Sequence, residues 1–131
     1  RYRARVSGPL LDRIDLHVHV PRVAFVELTN RKSEESSAIV RDRVIAARGV
    51  LRETRTTRSM RPLTLLDQRA QELLGRAAAR LGLSARAVCR TASVAVTVAA
   101  LRGRESAGAQ DVAEALQYRP LLGLDATASQ M

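Results

Sequence analysis

Residues 81–103, LGLSARAVCRTASVAVTVAALRG, decide the fold. Ser84 stands where a helix N-cap belongs, because its hydroxyl can accept from an N–H of the first turn. From residue 85 to 102 the chain offers Val88, Ala92, Ala95, Val96, Val98, Ala99 and Leu101. Apolar residues surround most of such a helix, so it must be enclosed by others and form the centre of a bundle. Gly82 and Gly103 punctuate its two ends as glycine does after a helix. Cys89, the single cysteine, reads as a small core residue on this helix.

Three further helices can be read outward from this centre. Upstream, Pro62 ends a polar loop, and Thr64-Leu65-Leu66-Asp67 has the form of a capping box opening a helix that reaches Leu81. Leu66, Ala70, Leu73, Leu74, Ala77 and Leu81 share its inner face. Downstream, a fourth helix spans about 109–119, with Val112, Ala115 and Leu116 inward and Pro120 as its stop. The first helix runs from a cap at Ser33, through Glu34 and Glu35, to about Arg55. Val40, Val44, Ala47 and Leu51 form its apolar stripe, and Arg41, Arg48, Arg52 and Arg55 a basic one beside it. That basic ridge reads as a solvated flank or as a track for a polyanion such as DNA.

The N-terminal part differs. Residues 7–21, SGPLLDRIDLHVHVP, begin with a turn signal, pass through Asp12-Arg13-Ile14-Asp15 and then alternate. Ile14, Leu16, Val18 and Val20 fall on one side, Asp15, His17 and His19 on the other. This period of two predicts a strand, closed by Pro21. One strand cannot stand alone. A basic arm precedes it.

With 46% apolar residues and 131 in all, the chain can bury a single core. The net charge is +9, and residues 1–61 hold 14 basic and 7 acidic residues, so a basic surface belongs mainly to the first half. One cysteine excludes a disulfide framework and fits a cytoplasmic setting. No apolar run has the length of a membrane span. No signal peptide is read, and the charged start without Met suggests a piece of a longer protein. The sequence has no GxxxxGK[ST] loop and no GxSxG. His17 and His19 alone do not complete a metal site, so no metal ligands are assigned.

Arginines remain. Arg13 lies between two aspartates at the mouth of the strand, as a salt bridge or as a guanidinium aimed outward. Arg86 falls in the first turn of the central helix, where the helix dipole favours anions. Arg90, one turn on, offers a second grip on a phosphate. For each, a structural salt bridge is the alternative.

The stretches YRARVSGPLLDRIDLHVHVP, ESSAIVRDRV, LGLSARAVCR and DVAEALQYR resemble, in order and spacing, the C-terminal part of the ComM/YifB family of magnesium-chelatase-like AAA+ ATPases. The resemblance spans about residues 2–119. It implies a mainly α fold: a four-helix AAA+ lid-type bundle at 34–124, preceded by the arm and last strand of an AAA+ core at 1–33. The small, polar composition after Leu124 reads as a flexible tail at 125–131. The resemblance implies that Arg13 is an arginine finger acting on the nucleotide of a neighbouring identical subunit, and that Arg86 is the sensor-2 arginine. ATP and Mg2+ would be cofactors of the full-length protein, a cytoplasmic ring, expected to be hexameric, with DNA as partner. Its work would be branch migration or helicase action in transformation or recombination. The 131 residues alone would not hydrolyse ATP. Two alternatives stand beside this: the ATPase subunit of a magnesium chelatase, and a free-standing basic helical module that binds nucleic acid. His19 departs from the glutamate of the family pattern, and the run after Arg90 is more apolar than usual.

Overall fold

The computed structural model describes residues 13–22, 35–57 and 61–119. Among these are four α-helices, α1 (Ser37–Thr57), α2 (Gln68–Leu81), α3 (Ala85–Leu101) and α4 (Ala109–Gln117), and one 3-10 turn, Pro62–Leu65. The fold is a four-helix bundle, as the periodicity predicts. α3 packs against α4, α1, α2 and the 3-10 turn, which makes it the central helix.

The α3 core positions are small. Ala87, Thr91, Ala92, Ala95, Val96, Val98, Ala99 and Ala100 are all buried. Small side chains let neighbouring backbones approach closely, and the larger groups come from those neighbours. Leu74 of α2 and Val112 of α4 close the core with Leu65 and Leu66. Cys89 is exposed, contrary to its reading as a core residue. The reason lies in its face: Ser93 and Thr97 follow at i+4 and i+8. Their hydroxyls donate to the Cys89 and Ser93 carbonyls, both at 3.0 Å. Leu101 is likewise exposed.

Two predicted caps form and one moves. The Ser84 hydroxyl accepts from Ala87 N at 3.2 Å. Gly82 takes φ +61, closing α2, a left-handed conformation that glycine adopts without strain. At the start of α2, however, Thr64 lies inside the 3-10 turn, and Asp67 is the N-cap, accepting from Ala70 N at 2.7 Å. The chain is extended at Leu66 because it pairs there with Ala107. Ala107 N donates to Leu65 O and Asp67 N to Ala107 O, each at 2.9 Å. This two-bond bridge ties the loop before α2 to the loop before α4.

Helix α1 is only half seated. Ala47 and Thr54 are buried and Leu51 packs on the core, but Val40 and Val44 are exposed. The predicted cap Ser33 lies outside the described residues. The Ser36 hydroxyl, 3.4 Å from Ile39 N, takes that position. Residues 14–20 do not form a strand; Ile14 is 41% and Val20 79% exposed. The period of two marks an apolar edge with no neighbouring strand among the described residues to pair with it. The arm, the stop at Pro120 and the tail lie outside the described residues.

Candidate functional site

The candidate arginines gather around the N-terminal half of α3. The Ser84 cap starts the helix, and Arg86 projects from its first turn, exposed, its side chain without a partner among the described residues. Unpaired first-turn N–H groups and the helix dipole make this end attractive to an anion, and a guanidinium beside it adds fixed positive charge. Arg90 follows four residues later, about 6 Å along the axis. Its Nη1 donates to Asp15 Oδ1 and, at 3.2 Å, to the Arg13 carbonyl. The aspartate at the predicted strand mouth is thus paired with α3. The Arg13 side chain stays exposed and has no partner among the described residues. Asp12 lies outside them.

Two residues that the sequence reading passed over fasten α4 to α3, one at each end. Arg119, at the end of α4, is only 7% exposed, yet no carboxylate pairs with it among the described residues. Its Nε donates to Thr91 Oγ1 at 3.3 Å and its Nη2 to the Ala87 carbonyl at 3.2 Å. A buried charge is tolerated where hydrogen bonds satisfy it. These bonds pin α4 to the first turns of α3, beside Arg86 and Arg90. The neighbouring Tyr118 carbonyl accepts from His17 N at 2.8 Å, so the same corner also receives the N-terminal segment.

The second is Asp111, 0% exposed. One oxygen accepts from Arg102 Nη1 at 2.6 Å and Arg104 Nη2 at 2.8 Å, the other from Gly108 N at 2.9 Å. Arg102 also reaches Glu114 at 2.6 Å. The carboxylate closes the α3–α4 loop and caps α4. Its place at the third position of a helix after glycine was the available sequence signal.

The remaining candidates stand apart from this corner. Arg41, Arg48 and Arg52 are exposed along α1, while the side chain of Arg55 is outside the described set. On the same helix Arg43 pairs with Glu35 through two bonds of 3.0 and 2.9 Å. His17 is partly buried and His19 exposed. They join no group of three or more potential metal ligands among the described residues. No helix there is long and apolar enough to cross a membrane.

Comparison with known proteins places these features in a family. Residues 34–119 match the family described as magnesium chelatase, subunit ChlI C-terminal, and residues 1–28 match magnesium chelatase, subunit ChlI. The competence protein ComM of Haemophilus influenzae is 34% identical over 132 residues, covering 95% of this chain. The uncharacterized YifB of Salmonella typhimurium is 35% identical over 129 residues, covering 92%. An uncharacterized protein of Mycobacterium tuberculosis is 38% identical over 130 residues, covering 91%. The chain spans about a quarter of the length of these relatives, 26% in each case. With its bundle matched from residue 34 to 119, the chain belongs to the family of the magnesium chelatase ChlI C-terminal region.

Proposed function

We propose that this chain is the nucleotide-responding C-terminal region of a magnesium-chelatase-like AAA+ ATPase, with 34–124 as its lid, and that the longer protein is a ComM-type DNA motor. The observation that carries the reading is that Arg90 joins the Arg13 turn to the first turns of α3, with Arg13 and Arg86 both exposed and without a side-chain partner among the described residues. Neither is spent on a structural salt bridge among the described residues. Each presents positive charge to solvent, which suits a polyphosphate. ATP with Mg2+, when bound to the longer protein, supplies the phosphoryl group whose developing charge such arginines stabilise.

In this reading Arg13 acts across a subunit interface of a ring, expected to be hexameric, and Arg86 meets the phosphates near the start of α3. Arg41, Arg48, Arg52 and Arg55 on α1 are the candidate DNA contacts. The similarity to a competence protein supports the DNA-motor version. The family's own description supports a second version, metal insertion by a chelatase.

The test is steady-state ATPase activity of the full-length protein, with and without DNA. Arg13→Ala is expected to lower turnover by at least ~10³-fold while leaving nucleotide binding intact. Near-normal turnover would remove the finger assignment. Absence of DNA stimulation in an active wild-type enzyme would favour the chelatase version.

A further inference from the structure

We propose that Arg90 is a positioning residue: by clasping Asp15 and the Arg13 carbonyl it ties the Arg13 turn to α3, so that Arg13 and Arg86 move as one body. The inference rests on the ATPase reading above and assigns the coupling within it.

The contacts form a short mechanical path. Arg90 Nη1 grips the N-terminal segment at residues 13 and 15 together. His17 N, two residues on, donates to the Tyr118 carbonyl. Next to Tyr118, Arg119 is bonded to Thr91 and Ala87, which flank Arg90 on α3. Alternate residues 13, 15 and 17 are therefore held, directly or through the end of α4, by the half of α3 that carries Arg86.

The attachment is polar. Ile14, Leu16, Val18 and Val20 all remain exposed, so burial of these side chains does not fasten the segment. The Arg90–Asp15 pair is itself partly exposed, with side-chain exposures of 34% and 54%. A pair in such a setting adds little to stability. What it does supply is geometry: one nitrogen, Nη1, bonded to acceptors on residues 13 and 15 together, sets the direction in which the turn leaves the bundle. A shift of α3 when Arg86 meets phosphate then redirects Arg13, which lies on the same turn. Arg90 is thereby spent on coupling and not on the nucleotide.

The test uses the full-length protein with Arg90→Asp, Asp15→Arg, the double exchange, and the milder Asp15→Ala in case a reversed charge disturbs folding. Each single change is expected to lower kcat by up to ~10²-fold, the scale of a small misplacement of a catalytic group. KM for ATP and the thermal midpoint should stay near wild type. The double exchange restores the ion pair but not the bond to the Arg13 carbonyl, because a carboxylate cannot donate one, so it should recover part of the lost turnover, by ~10-fold or less. Loss of turnover together with a lowered thermal midpoint in all variants, Asp15→Ala included, would make the pair a plain structural brace and overturn the proposal. So would single variants with wild-type kcat, a raised KM at unchanged kcat (direct contact of Arg90 with nucleotide), or a double exchange no better than either single. Arg13→Ala in parallel separates the two levels. If it turns over normally, the finger reading itself fails and the coupling falls with it. If it is dead while the Arg90 variants are normal, the coupling alone fails.

Discussion

Helix α3 and residues 14–20 are both regular apolar runs, yet they have opposite fates. Along α3 the apolar side chains meet α1, α2, α4 and the 3-10 turn. Along 14–20 they stay in solvent, and the segment is held by Arg90 and the Tyr118 carbonyl. A period of 3.6 brings its own partners when neighbouring helices carry matching stripes. A period of two marks which side wants cover and says nothing of what covers it. The bundle therefore derives stability from burial, whereas the N-terminal segment takes direction from polar contacts.

Three substitutions sharpen that contrast, in descending order of effect. Ala95→Asp would bury a carboxylate at a fully enclosed site on α3. It should cost at least ~4 kcal/mol and unfold the bundle, as read by circular dichroism. Asp111→Ala removes the cap of α4, takes from half-exposed Arg104 its carboxylate and leaves half-exposed Arg102 with Glu114 alone. Solvent screens those arginines, so urea unfolding should show a loss of about 1–3 kcal/mol. Val18→Asp places the same charge as the first change on the same kind of apolar run. Because Val18 is 67% exposed, the bundle's unfolding midpoint should move by no more than ~0.5 kcal/mol. A large loss here would mean that the segment is buried against the helices, and the contrast would be gone.

The same contrast explains what could be read before the structure. The four helices, the Ser84 cap and the Gly82 stop follow from local spacing and cap chemistry, which depend on residues a few positions apart. The start of α2 did not follow, because the bridge between Leu66 and Ala107 joins loops far apart in sequence and moves the cap from Thr64 to Asp67. Cys89 was misassigned although Ser93 and Thr97 marked its face as polar. At the candidate site, Arg13, Arg86 and Arg90 were visible as residues, but the pairing of Arg90 with Asp15 is a contact across 75 positions. Arg119 falls at the last position of the predicted fourth helix, where nothing in the spacing marks it as buried. Its burial follows only from where α4 packs, and no pattern within one helix contains that information.

In the proposed function Arg13 completes a nucleotide site belonging to another subunit. Complementation between two inactive full-length variants decides the point: Arg13→Ala, and a variant disabled in its own phosphate-binding loop. Mixed in equal amounts and allowed to exchange subunits, they should recover roughly a quarter of wild-type ATPase activity, since only one kind of mixed interface joins an intact loop to an intact arginine. If the mixture stays as inactive as its parts while subunit exchange is demonstrated by an independent label, Arg13 does not act across the interface.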